Sequence, residues 1–304
     1  MTQDRPVLGI ILMLGFCMLA PLGDAMAKLL GETTPIGILV FTRFAVQALI
    51  LIPLVALTGR PWRLRGRILK LTVIRTGLHI LGITAMFSAL QFLPLADAIA
   101  IAFVMPFIML LLGRFVLDEE VGIRRLLACV VGFVGTLLVI QPSFAQVGAP
   151  ALLPLIVAVV FALFMLVTRQ IAKETDPVSL QAVSGAMATL ILLPVLTLGS
   201  AIDVPELTFS LPDKDAVWLL LGIGVLGTVA HLLMTWSLRY APSATLAPMQ
   251  YLEIPVATVF GWLIFHDLPN GIAALGIGIT MAAGLYVILR ERATARSAPT
   301  ETPA

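Results

Sequence analysis

Met105-Pro-Phe-Ile-Met-Leu-Leu-Leu-Gly-Arg-Phe-Val-Leu-Asp118-Glu-Glu-Val-Gly-Ile-Arg124 and Ile254-Pro-Val-Ala-Thr-Val-Phe-Gly-Trp-Leu-Ile-Phe-His-Asp267-Leu-Pro-Asn-Gly-Ile-Ala273 follow one pattern. Pro106, Asp118, Gly122, Ile123, Leu126 and Gly135 recur as Pro255, Asp267, Gly271, Ile272, Leu275 and Gly284, each 149 residues later. Leu93-Pro94 recurs upstream as Ala241-Pro242, with a slip of one residue. Both copies are embedded in apolar sequence. A long internal repeat of hydrophobic helices is how secondary transporters build a path open to two sides.

Composition fixes the solvent. Hydrophobic residues make up 60% of the 304 and charged residues 12%, against roughly 45–50% and about 25% in soluble domains. Such a chain cannot clothe itself in a water-soluble surface. Its apolar runs are about 20 residues long, the length that crosses about 30 Å of hydrocarbon as a helix. The ten-residue alternating segments of membrane barrels are absent. The sequence therefore predicts an all-α integral membrane protein. Cys17 and Cys129 lie singly in apolar runs and read as packing residues. The first apolar run is too long for a signal peptide and ends in no small-residue cleavage site, which makes it a retained span.

Ten spans are expected, at residues 7–30, 35–57, 70–92, 96–117, 123–141, 150–170, 178–199, 215–238, 243–265 and 271–290, with turns at Gly31–Pro35, Gln141-Pro142-Ser143 and Asp176-Pro177. Basic residues set the orientation. Arg60, Arg63, Arg65, Arg67 and Lys70 follow the second span, Arg124 and Arg125 the fourth, Arg169 and Lys173 the sixth, Arg239 the eighth, and Arg290, Arg292 and Arg296 the tenth. The alternate connections hold almost none, Lys214 among acids being the clear exception. Both termini are thus expected in the cytoplasm, with the chain in the inner or plasma membrane. Five spans per repeat force the second copy to enter from the opposite face, giving inverted halves at 1–145 and 146–292, then a disordered cytoplasmic tail at 293–304.

Ala89-Leu-Gln-Phe-Leu-Pro-Leu-Ala-Asp-Ala98, running into Met105-Pro106 and Asp118-Glu119, resembles the repeat unit of the drug/metabolite transporter superfamily, EamA type. Gln250–Pro269, Gly284-Leu-Tyr286 and Thr42-Arg43-Phe44 are similar to the same family. The resemblance covers nearly the whole chain. It implies a secondary active carrier of a small organic metabolite, working by alternating access without a cofactor. Many members carry tryptophan in the first span, where this chain reads Phe16-Cys-Met-Leu-Ala-Pro-Leu-Gly-Asp24. Asp24, Lys28 and Glu253-Ile-Pro255 look closer to branches that import riboflavin or S-adenosylmethionine than to amino-acid exporters. Export of amino acids, drugs or other metabolites is the alternative.

Charged groups at membrane depth cost about 2.5–3.5 kcal/mol each on insertion scales and face a bundle interior or a cavity. By helical rise, Asp24 and Arg43 lie roughly 10 and 12 Å from the outer ends of neighbouring spans. They form either a buried ion pair or a substrate contact. Lys28, one turn after Asp24, can pair with it or snorkel to the interface. Glu253 falls near the midplane, with Gln250 one turn away and Pro255 interrupting the backbone bonds; proline-broken helices beside a midplane carboxylate mark transporter sites. A carboxyl group there is suited to exchange a proton in each cycle.

His79 and His231 occupy equivalent spans and read as either packing or site residues. Arg75 is expected to snorkel to headgroups, and Asp97 and Thr245 to cap helices. Pro106 and Pro255 are expected to kink the fourth and ninth spans as moving parts. Trp236, Phe103, Tyr251 and Trp262 offer flat surfaces to a planar ligand. The sequence shows no metal-ligand cluster, activated nucleophile or phosphate-binding motif for an integral membrane enzyme, and no filter-like loop for a channel. Partners are then a small-molecule substrate and the lipid bilayer, with no nucleic acid. One chain already holds both halves, so monomer and homodimer both fit.

Overall fold

The computed structural model describes residues 5–118, 122–209 and 214–297. Among them are α1 (Pro6–Leu30), α2 (Ile36–Leu57), α3 (Gly66–Leu90), α4 (Leu95–Ala102), α5 (Met105–Val116), α6 (Ile123–Val147), α7 (Leu153–Ala172), α8 (Pro177–Ala201), α9 (Lys214–Tyr240), α10 (Ser243–Leu246), α11 (Glu253–Phe265) and α12 (Gly271–Ser297). A 3-10 turn, Ala247–Leu252, joins α10 to α11. Seven stretches are long and apolar enough to cross a membrane, and Leu126–Leu138, Met249–Phe265 and Gly271–Tyr286 are shorter apolar helices.

Turn chemistry explains most of the boundaries. Pro35 precedes α2 and Pro94 precedes α4, positions where a missing N–H costs nothing. Asp176 caps α8, its carboxylate accepting from Ser179 N at 3.0 Å, with Pro177 opening the helix. The turn expected at Gln141-Pro142-Ser143 does not form: α6 continues to Val147 and ends at Gly148, whose φ of 67° suits glycine alone. At the other end, α12 runs to Ser297, five residues into the stretch expected as a tail; residues 298–304 lie outside the described ones, as does Glu119.

The expected kinks are full breaks. The fourth apolar stretch stops at Ala102 and restarts at Met105, and the ninth passes through the 3-10 turn before restarting at Glu253. Pro106 and Pro255 sit in the first turn of the restarted helices, where proline's lost hydrogen bond was already unavailable. Both breaks are enclosed by protein, with Phe103, Met105, Leu246, Ala247 and Tyr251 buried, as irregular backbone at membrane depth requires.

Polarity runs opposite to that of a soluble bundle. Leu49, Phe115, Leu190 and Leu198 stand exposed on the outside, whereas Arg43, Gln47, Arg75, His79, Gln181 and Gln250 are buried. Lipid solvates the first set, and the second must find partners within the protein. The strongest helix pairings are α1 with α9, α2 with α8, α3 with α7 and α6 with α12. Close approach depends on small residues. A Cβ on Gly135 of α6 would lie 2.6 Å from the Gly276 carbonyl oxygen of α12, and one on Gly132 would lie 2.7 Å from the Tyr251 ring.

Backbone cannot yield as a side-chain tip can. Gly135→Ala should therefore destabilise the purified protein by about 1–3 kcal/mol, the usual cost of overpacking. Gly77→Ala, where an added Cβ meets nothing within 4 Å, should be neutral in the same detergent thermal-unfolding assay.

Candidate functional site

One cavity lies at the centre of the bundle. Asp24 and Phe16 of α1, Arg43 of α2, Phe87 of α3 and Phe103 at the break after α4 contribute to its wall. Phe161 of α7, His231 of α9 and Glu253 at the start of α11 complete it. Its volume, measured as space for the centres of water-sized spheres, is about 80 Å³, room for several waters. The lining is mostly aromatic and aliphatic, with Asp24, Arg43, His231 and Glu253 converging on it.

Each polar group arrives for a local reason. Glu253 is the first residue of α11, because the 3-10 turn ends at Leu252, and an acid there complements the positive end of the helix dipole. It is 7% exposed. Neither it nor Asp24 forms a hydrogen bond or ion pair within the protein among the described residues, so both carboxyl groups are left to the cavity; the described salt bridges are Arg60–Asp176 and Arg67–Glu174.

Of the two arrangements open for Arg43 and Asp24, the close ion pair does not form among the described residues. The Arg43 guanidinium donates to Gln47 Oε1 at 2.9 Å and to the Gly227 carbonyl at 3.1 Å, and Nη2 lies 2.8 Å from His231 Nδ1. His231 Nδ1 also lies 2.9 Å from the Gly227 carbonyl oxygen; it accepts from Arg43 in one tautomer and donates to that carbonyl in the other. Gly227 makes room for this: a Cβ there would sit 2.8 Å from the guanidinium carbon. Neutral acceptors one turn along α2 and across on α9 satisfied the guanidinium before the carboxylate could.

Arg75 is the largest departure. Rather than snorkelling it is fully buried. Nε donates to Thr168 Oγ1 at 2.8 Å, Nη1 to Ser184 Oγ at 2.9 Å and Nη2 to Thr235 Oγ1 at 3.5 Å, while the guanidinium lies over the Phe164 ring at 4.5 Å. Gln181 joins the two arginine systems. It accepts from Gln47 Nε2 and donates to Thr235 Oγ1 at 3.0 Å and to the His231 carbonyl at 2.9 Å. The signal available in the sequence was the set of Thr168, Gln181, Ser184 and Thr235, polar residues one to two turns inside apolar spans.

The remaining candidates separate clearly. His79 is fully buried behind the cavity wall, its ring 4.4 Å from that of His231 and 4.6 Å from Phe164. Gln250 is buried one turn before Glu253, donating to Met165 Sδ at 3.1 Å. Tyr251 faces away and donates to the Cys129 carbonyl at 3.2 Å, tying α6 to the 3-10 turn. Trp236 packs in a small cluster with Leu51, Val55, Val178, Ala182 and Leu232, away from the cavity. Trp262 is exposed on the outside.

Lys28 forms no ion pair with Asp24 among the described residues. It donates to the Leu90 and Leu93 carbonyls at 3.2 and 2.6 Å, satisfying the end of α3. Pro94 and Pro242 take the helix-start positions expected of Asp97 and Thr245, which fall in the turns that follow.

The model of the EamA-like transporter family matches residues 7–141 and again 149–290. The chain belongs to that family. It is a multi-pass membrane transporter rather than an enzyme. It is 27% identical over 264 residues to a riboflavin transporter of Brucella anthropi, covering 87% of this chain and 92% of that one. A riboflavin transporter of Rhizobium johnstonii is 29% identical over 234 residues, 77% of this chain and 72% of its own. An S-adenosylmethionine uptake transporter of Rickettsia prowazekii is 24% identical over 271 residues, 89% of each chain. A solved crystal structure shares the fold at a TM-score of 0.69 and 17% identity, over 94% of this chain and 98% of the other.

The hydrogen-bond inventory separates the two cavity charges. Arg43→Met should cost about 1.5–3 kcal/mol per charged hydrogen bond whose acceptor is left buried. Asp24→Asn, which breaks no hydrogen bond among the described residues, should lower stability less than Arg43→Met. Thermal unfolding in one detergent would check both.

Proposed function

We propose that this chain is a secondary active transporter that carries a small organic metabolite through the central cavity by alternating access, with Glu253 as the coupling residue. The observation that carries this reading is the cavity itself. Two carboxyl groups without internal partners, Asp24 and Glu253, meet an arginine there, at the point where a helix restarts.

The helix pairings support two inverted five-span halves, and the basic residues that follow every second span favour termini in the cytoplasm. Exchanging the first, second and third helices of one half for those of the other converts α1–α9 into α7–α3 and returns α2–α8 and α6–α12 to themselves. A pseudo-two-fold axis has this effect, and the matching breaks before Pro106 and Pro255 agree with it.

Polar ties between the halves favour one closed side. Arg5 N donates to the Tyr240 carbonyl at 2.7 Å, Arg60 pairs with Asp176 and Arg67 with Glu174, all on the side of the N-terminus. The Gln47–Gln181 and Arg75 bonds continue this seam inward. The cavity occupies the opposite half of the bundle, towards the connection after Leu30. This arrangement corresponds to a state facing away from the cytoplasm.

For substrate, the reading leans to riboflavin or S-adenosylmethionine uptake, on the names of the similar proteins and on a cavity that sets Phe16, Phe87, Phe103 and Phe161 beside charged groups. The cavity must widen to admit either. Proteoliposomes supplied with labelled riboflavin or S-adenosylmethionine, with and without an imposed proton gradient, should show saturable uptake and counterflow. Absence of flux for both, and for a wider metabolite panel, would defeat the proposal. Glu253→Gln should lower uptake at least a hundredfold with unchanged thermal unfolding, and should abolish any response to the gradient; wild-type uptake would remove Glu253 from the mechanism.

A further inference from the structure

Beneath the cavity, on the tied side of the bundle, lie polar atoms that the protein itself leaves unsatisfied. His79 Nδ1 and Nε2, His231 Nε2 and Gln250 Oε1 are all buried without a hydrogen-bond partner among the described residues. Their setting is aromatic and close-packed. His79 touches Phe44 edge-on at 4.9 Å, Phe164 at 4.6 Å and His231 at 4.4 Å. Gln250 lies across α7, where only the sulfurs of Met165 and Met13 are within reach of its amide nitrogen.

In a purely structural role these groups are worse than the apolar residues of similar shape that could replace them. An unpartnered buried polar group costs about 1–3 kcal/mol, and replacement by an apolar isostere is neutral or stabilising. In native proteins such groups mark functional sites, stored strain, or places that take up water or an ion, and a second state of the bundle is one way to supply a partner. That other state is indicated by the seam. The Arg75, Gln181 and Gln47 bonds join α2 and α3 to α7, α8 and α9, and they lie between the two histidines and the N-terminal side. If they part, His79 joins His231, which already stands in the cavity wall, as the next polar surface after Arg43 and Glu253.

We infer that His79 and His231 form an inner subsite of the transport path, closed here by the Arg75–Gln181 network, that receives a hydrogen-bond-acceptor group of the substrate. This rests on the transporter reading above. The charges around the subsite determine the chemistry. Arg43 lies 2.8 Å from His231 Nδ1, and Arg75 stacks on Phe164, the ring that also carries His79. Phe16 of α1 and Phe161 of α7 cover the remaining ring edges of His231. No carboxylate contacts either guanidinium among the described residues; Asp24 and Glu253 belong to the cavity above. A cationic group is repelled from such a site, and a carbonyl or carboxylate is attracted to its N–H donors.

Thiol accessibility tests this without a substrate. In a background with Cys17→Ala and Cys129→Ala, His79→Cys and His231→Cys would be exposed to sulfonatoethyl and trimethylammonium-ethyl methanethiosulfonate. The reagents would be applied from the side of the Arg60–Lys70 connection. Both positions should react, at least tenfold faster with the sulfonate after normalisation to free cysteine. Arg75→Gln or the milder Ser184→Ala should raise the rate about tenfold. Thr280→Cys, in the closed α6–α12 contact, should stay unlabelled. No reaction at either histidine position in folded protein, even with the seam weakened, would overturn the subsite. Equal or faster reaction of the ammonium reagent would overturn its acceptor chemistry. His79→Phe should keep or raise the unfolding temperature while slowing riboflavin or S-adenosylmethionine flux at least tenfold; full flux would return His79 to a packing role. Because labelling requires no cargo, its failure is distinct from a failure to find transport.

Discussion

Two guanidinium groups in a bundle surrounded by lipid impose a demand that the surrounding helices must meet. Each brings five donors that hydrocarbon cannot satisfy and a charge that is expensive to isolate. The protein answers with neutral acceptors. Gln47, the Gly227 carbonyl and His231 serve Arg43; Thr168, Ser184 and Thr235 serve Arg75. Those acceptors come from α7, α8 and α9 as well as from α2, so the requirement of two side chains fixes how the two parts of the chain face each other. A carboxylate partner would have made a tighter, less reversible lock. Hydroxyls and amides hold the charge with bonds that could be exchanged for water if the bundle opens as proposed.

The same choice frees the acids. Had Arg43 paired with Asp24, the cavity would have lost its cation and one of its anions together. With Arg43 held from behind by Gln47 and Gly227, its charge acts on the cavity while Asp24 and Glu253 keep their oxygens available. Leaving charges on a small, mostly apolar cavity is costly, and in the proposed cycle a ligand or proton would use them.

Helix positions were legible because they depend on apolar length and turn residues. The ends at Leu30, Leu57 and Ala201 lie within a residue or two of those read from Gly31–Pro35, the Arg60 cluster and the apolar run after Asp176-Pro177. Glu253, Asp24 and Arg43 line one cavity, although only Asp24 and Arg43 have matching depths by helical rise. What sequence could not give was direction around each helix. Depth along an axis follows from counting, but whether Arg75 turns inward, or Tyr251 and Trp236 turn away, depends on which neighbour occupies that face. Arg75 was placed near a headgroup by its distance from the helix end, when the hydroxyls of three other helices had already made a drier site favourable. Of the two readings left open for Asp24 and Arg43, the close ion pair does not form although both side chains line one cavity, because Gln47, Gly227 and His231 engage the guanidinium.

The repeat explains why the breaks coincide, and its imperfections explain why they differ in use. Val104 precedes Met105 where Leu252-Glu253 opens the later half-helix, so one restart is apolar and the other carries an acid. His79 and His231 come from corresponding helices of the two halves and stack on each other near the centre, yet only His231 reaches the cavity and only it is held by an arginine. A symmetric pair of halves could rock equally well in either sense. In the proposed alternating-access cycle, placing the acid on one half-helix and the arginines on α2 and α3 would give the two end states different electrostatics, and a ligand can bias an equilibrium only through such a difference.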